Sequence, residues 1–140
     1  MQWKDDYKIG IPVIDAQHKQ LFLATNELNE ALAKGLTPAV INNLLTHLEF
    51  YAVRHFQMEE RYMMESSYPE LSEEIEEHQY FTKRFTDIKN EFTQNGLTPD
   101  IVHAIQNELS LWIKDHVLGL DQAFGAYYVS TQTNKDETIK

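Results

Sequence analysis

Three short stretches cut the chain into pieces and leave few folds open to it. Lys34-Gly35-Leu36-Thr37-Pro38, Ser66-Ser67-Tyr68-Pro69 and Gln94-Asn95-Gly96-Leu97-Thr98-Pro99 each join a Gly or Ser turn signal to a proline suited to the first turn of a following helix. They delimit four segments of roughly 20 to 28 residues, each with a stripe at helical spacing. The first stripe is Ile14, His18, Leu21, Thr25, Leu28 and Leu32; the second is Ile41, Leu44, Leu48, Ala52, His55, Glu59 and Tyr62. The third runs Leu71, Glu74, His78, Phe81, Phe85, Ile88 and Phe92, and the fourth Val102, Ile105, Leu109, Trp112, His116 and Leu120. Amphipathic helices with short connections pack as antiparallel neighbours. The expected fold is therefore all-α, an antiparallel up-down-up-down four-helix bundle.

With 140 residues, 42% of them hydrophobic, the chain is the size of one domain and can build a core. That domain is expected over residues 1–128. Residues 1–13 read as an extended arm, since Gly10 and Pro12 interrupt a helix, with Trp3, Tyr7, Ile9 and Ile11 placed to lie across the bundle. Residues 129–140 read as a frayed polar tail.

Seven ionisable residues stand where core residues belong: His18, His55, Glu59, Glu74, His78, His116 and, one turn beyond, Asp121. Burying a carboxylate without a partner costs several kcal/mol even after relaxation, so three carboxylates and four imidazoles in one interior need compensating charge. A metal cluster supplies it. The positions also converge, because two residues of an antiparallel hairpin lie at one level when the midpoint of their numbers falls on the turn. The midpoint of His18 and His55 falls between Gly35 and Pro38. That of His55/Glu59 and Glu74/His78 falls on Ser66-Ser67, and that of Glu74/His78 and His116/Asp121 within Gly96–Pro99. All seven side chains are expected in one layer of the bundle.

The local spacings suit chelation. His55/Glu59 and Glu74/His78 are i,i+4 pairs stacked on one helix face. His116/Asp121 is i,i+5, which an ideal helix splays by roughly 140°, so a π-bulge or a loosened turn near Gly119 is expected to swing Asp121 back. Mixed imidazole and carboxylate donors without sulfur suit iron or manganese and are acceptable to zinc. Seven donors exceed the four of a closed tetrahedral zinc site, and two ions bridged by carboxylates fit the number better.

A lone histidine on an apolar face is more often a hydrogen-bonded core residue than a ligand; the conjunction of seven carries the metal reading. His47 and His103 lie beside the stripes and read as solvated, as do Glu27, Glu30, Glu73, Glu76 and Glu77. Glu-x-x-His pairs of the ferritin-like kind and a His-Glu-x-x-His protease motif are both absent. A net charge of −10 argues against nucleic acid or an anionic membrane as partner. No stretch approaches the roughly 18 apolar residues of a membrane span. The N-terminus lacks the layout of a secretory signal, and cysteine is absent, which fits a reducing compartment. A cytoplasmic location is expected.

The sequence resembles the hemerythrin family from about Trp3 to Tyr128. The resemblance rests on Gly10-Ile11-Pro12-Val13-Ile14-Asp15-Ala16-Gln17-His18-Lys19-Gln20-Leu21-Phe22, on His55-Phe56-Gln57-Met58-Glu59-Glu60, on Tyr68-Pro69 leading to His78-Gln79-Tyr80-Phe81, and on Leu111 through Asp121. It implies two non-haem iron ions with an oxo or hydroxo bridge, bridged also by Glu59 and Asp121. His18 and His55 would hold the iron with the open position, where dioxygen binds. His78 and His116 would hold the other, which the family completes with a third histidine. Leu21, Phe56, Trp112, Ile113 and Val117 would line the oxidant pocket.

This chain departs from the family at one ligand, with Glu74 where a histidine is expected. Either Glu74 ligates in its place or it turns away and leaves water there; as a ligand, the carboxylate adds negative charge and favours the ferric state. Dioxygen binding with ready autoxidation is one reading; a di-iron enzyme reducing dioxygen or peroxide is the other.

Overall fold

The computed structural model describes the backbone of residues 1–139 and the side chains of residues 1–133. Helix α1 spans Pro12–Ala33, α2 Pro38–Glu65 and α3 Leu71–Asn95. A fourth helical rod is built from α4 (Pro99–His103), a π segment (Ala104–Leu109), α5 (Ser110–His116), a second π segment (Val117–Asp121) and α6 (Gln122–Ile139). Among the described residues there is no β-strand.

The breakers act as their chemistry dictates. Thr37 and Thr98 cap α2 and α4, their hydroxyls accepting from the backbone N–H of Val40 and Ile101, with Pro38 and Pro99 in the first turn, where a missing N–H costs nothing. Gly35, at φ 66°, takes the left-handed conformation that lets the chain leave α1. Pro69 behaves differently, since it precedes the start of α3 by two residues.

As the residue number rises along one helix it falls along the next: Glu60 meets His78 while Glu49 meets Lys89, and His78 meets His116 while Arg84 meets Glu108. This is the pattern of antiparallel neighbours. The stripes face inward and form a continuous core that includes Phe22, Leu28, Ile41, Leu45, Leu48, Phe81, Phe85 and Ile105. In the second stripe Leu45 and Met63 are buried, and Leu44 and Tyr62 sit at its margin. Leu120 is likewise only half-buried.

Both chain ends differ from expectation. Pro12 opens α1, for the same first-turn reason as Pro38, and Asp5–Tyr7 forms a 3-10 turn, so the arm is shorter than residues 1–13 and only partly extended. It is pinned by Asp15, whose carboxylate accepts from the N–H of Ile9 at 2.7 Å, and by Trp3 and Tyr7, which pack on Phe22. At the other end the backbone from 129 through Ile139 continues α6 as helix, in place of a frayed tail. Intrahelical i→i−4 bonding carried over from the buried part of α6 sustains the helix. The backbone of residue 140 and the side chains of 134–140 lie outside the described residues.

Candidate metal centre

Six of the seven donors are carried on regular helix, His18 on α1, His55 and Glu59 on α2, Glu74 and His78 on α3, and His116 on α5, and all six are buried. Asp121 closes the second π segment and is fully buried. A π turn bonds i to i+5, so it brings Asp121 back over His116, which a regular helix would not do.

The geometry is two-sided. His18 Nε2 lies 2.9 Å from Asp121 Oδ2 and 3.5 Å from Glu59 Oε2, and His55 Nε2 lies 2.8 Å from that same Glu59 oxygen. On the opposite side His116 Nε2 is 3.1 Å from Asp121 Oδ1 and 3.5 Å from Glu59 Oε1, and His78 Nε2 is 3.2 Å from Glu59 Oε1. Glu59 and Asp121 thus each turn one oxygen to each histidine pair. Glu74 Oε2 belongs to the second side alone, 3.2 Å from His116 and 3.4 Å from His78. Two groups of donor atoms result, His18/His55/Glu59/Asp121 and Glu59/Glu74/His78/His116, each within 4.8 Å and sharing Glu59.

The protonation of the rings shows what the site needs. Nδ1 of His55 faces Gln17 Oε1 at 2.9 Å, and Nδ1 of His78 faces a carboxylate oxygen of Glu60 at 2.7 Å. Both partners only accept, so Nδ1–H donates to them and Nε2 is the nitrogen turned into the site. There it meets other lone pairs. His18 and His55 Nε2 are 3.0 Å apart, and both oxygens of Glu74 and of Asp121 are buried with no hydrogen-bond partner. Glu59 Oε2 is also without a donor despite its short distance to His55. Lone pairs aimed at one another in a dry interior repel unless a cation lies between them. The residues present therefore fit a metal pair.

The electrostatics agree. Burial pulls the His18 imidazole down, but Asp121 and Glu59 outweigh it and its pKa is pushed up to about 9. Burial likewise opposes the charge on His78, and Glu59, Glu74 and Glu60 raise it to about 9. His116 is raised well above its ordinary value, Asp121 overcoming its burial. Burial would lift Glu59 and Asp121, yet the facing histidines hold both below the usual carboxylate range. Glu74 goes the other way, raised by burial and by the charges of Asp121 and Glu59 against the pull of His116 and His78. The interior attracts cations, and protons gather on its histidines when nothing stronger is offered.

Two aromatic faces fix histidine rings of the cluster. Phe56 stacks on His78 with centroids 4.1 Å apart, and Trp112 stacks on His116 at 4.5 Å, its indole N–H donating to Glu77 at 3.2 Å. Leu21, Phe56, Trp112, Ile113 and Val117, together with Ala52, His55 and His116, surround an apolar cavity of about 10 Å³. That is about one water-sized probe. Gln17 and Glu60, which orient two of the rings, were not anticipated. In the sequence each adjoins a stripe residue, Gln17 before His18 and Glu60 after Glu59, within the stretches that resemble the family, but nothing there assigns either a role.

The hemerythrin HHE cation binding domain matches residues 9–127. The chain belongs to the hemerythrin family. It is 34% identical to the bacteriohemerythrin of Stenotrophomonas maltophilia (strain R551-3) over 122 residues, which cover 87% of this chain and 77% of that one. It is 30% identical to the bacteriohemerythrin of Pseudomonas aeruginosa (strain LESB58), with the same coverage. It is also 30% identical to that of Clostridium acetobutylicum, where 87% of this chain covers 96% of the relative. Hemerythrins bind non-haem iron, and the two donor groups place metal-capable side chains at the heart of this hemerythrin fold. No helix among the described residues is long and apolar enough to cross a membrane.

Proposed function

We propose that this hemerythrin holds two iron ions and binds dioxygen, in a site more prone to autoxidation than an all-histidine one. One observation carries the reading: Glu59 and Asp121 each present one oxygen to each histidine pair, the disposition of bridging carboxylates. His18 and His55 would hold one ion, His78, His116 and Glu74 the other. Mixed nitrogen and oxygen donors without sulfur suit iron, and the lack of cysteine suits a protein of the reducing cytoplasm. Iron held there would supply the electrons that a small oxidant accepts.

The protein's share is positioning and exclusion. Gln17 and Glu60 hold His55 and His78 with their lone pairs inward. The small apolar cavity between Leu21, Phe56, Trp112, Ile113 and Val117 adjoins His55 and His116 and would give a small oxidant an apolar approach to the metal. Glu74, buried and without a hydrogen-bond partner, adds a negative charge that the histidine of the family pattern does not carry, and negative charge beside iron favours its ferric state.

That same charge supports a second reading, an oxidase- or peroxidase-like turnover of dioxygen or peroxide. Stopped-flow mixing of the reduced protein with dioxygen tests the pair. A dioxygen-dependent visible spectrum that decays rapidly, with little peroxide consumed over many cycles, supports the binding protein; sustained multiple-turnover consumption supports the enzyme. A spectrum that persists as in an all-histidine site would contradict the role given to Glu74.

A further inference from the structure

A second hollow, of about 260 Å³, opens between α1 and α2, lined by Gln17, Gln20, Tyr51 and Arg54. Its lining is unusual for a chain of net charge −10, because no carboxylate contributes to it. Arg54 forms no ion pair among the described residues; its guanidinium rests over the Phe50 ring, 5.3 Å from the centroid, which leaves its N–H edge free for an acceptor. Gln17 Oε1 is committed to the Nδ1 proton of His55. Its amide NH2 is therefore turned away from the histidine and has no partner among the described residues. The Tyr51 hydroxyl and the Gln20 amide are likewise without hydrogen bonds there. The wall offers a planar cationic fork, two amides and a phenol, predominantly as donors.

We propose that this hollow binds a small oxyanion, a carboxylate or a phosphate-like group, held by Arg54 with Gln17, Gln20 and Tyr51. A bidentate guanidinium contact supplies the attraction and the amides complete the shell. Gln17 spans the hollow and the metal ligand. An anion accepting from its NH2 polarises the amide, makes Oε1 a stronger acceptor and tightens its bond from His55. The link to His55 rests on the metal reading above; the anion site does not.

Isothermal titration of the protein as purified with inorganic phosphate, and separately with acetate, tests the site whatever metal the protein carries. Saturable binding of at least one anion is expected, the preference between them separating a phosphate source from a carboxylate one. The affinity is expected to fall at least about tenfold in Arg54→Ala and in Gln20→Glu, which puts a like charge against the ligand. Both side chains are exposed, so circular dichroism is expected to be unchanged. No saturable heat with either anion, or equal heat in Arg54→Ala, overturns the site. In iron-loaded protein the anion is expected to shift the visible bands, and not to do so in Arg54→Ala; heat without a shift overturns the link to His55.

Discussion

Glu60 accepts a 2.7 Å hydrogen bond from Nδ1 of His78 on the facing helix, and that contact decides which nitrogen of His78 faces the metal centre. Glu60 is itself partly open to solvent, so it contributes little to packing and much to ring orientation. Replacing Glu60 with alanine is expected to weaken metal binding by about 10- to 100-fold, with the helical content intact. Competition against a chelator measures the loss. Glu60→Gln keeps an acceptor oxygen and is expected to lose less.

Glu74 sits in the first turn of α3, where the helix dipole favours a carboxylate, while its burial opposes the charge. Replacing it with histidine removes one negative charge beside the second of the two proposed ions. The dioxygen-dependent spectrum of Glu74→His is expected to outlive that of the parent by at least about tenfold, equivalent to about 1.4 kcal/mol in the barrier. Stopped-flow decay under air measures it, and equal lifetimes would mean that Glu74 does not set the oxidation rate.

The raised histidines give the metal-stripped protein a pH dependence of definite sign. His18 and His78 titrate at about 9 in the fold and near 6.5 when unfolded. The folded state therefore binds more protons between those values, and the stability this confers is complete below about pH 6.5 and lost as pH rises through about 9. Melting temperature in chelator is expected to fall across that window. Metal-loaded protein is expected to lack this fall, because metal has displaced the protons.

Helical periodicity and turn chemistry make the four stripes readable, and the level rule puts His18, His55, Glu59, Glu74, His78, His116 and Asp121 in one layer from the sequence. The i,i+5 spacing of His116 and Asp121 calls for a π-bulge or a loosened turn near Gly119, and of these two a π segment is present at Val117–Asp121. The π segment at Ala104–Leu109 carried no comparable signal. It ends at the buried Ser110, whose hydroxyl donates to the Ile105 carbonyl and accepts from Asn29, a tertiary bond that local pattern does not encode. Gln17 and Glu60 escaped for a related reason. Residue numbers give the height of a side chain in a bundle, but which neighbour a flanking polar group turns toward depends on the rotation of the helix facing it.

The arm offers a test of packing away from the metal. Gly125 on α6 lies under Ile9, and a Cβ there would collide with the Ile9 carbonyl and side chain. Gly125→Ala is expected to destabilise the fold by about 3 kcal/mol or to displace the arm. Urea unfolding measures the first outcome, and exposure of Trp3, seen in its fluorescence, reports the second.

The most direct measurement is the ratio of iron to protein chain after anaerobic reconstitution and removal of loosely held metal. Two iron ions per chain are expected in the wild type and one or fewer in Glu59→Ala, since Glu59 is shared by both donor groups. A wild type that saturates at one ion or none, or a Glu59→Ala protein that still holds two, would contradict the bridged pair.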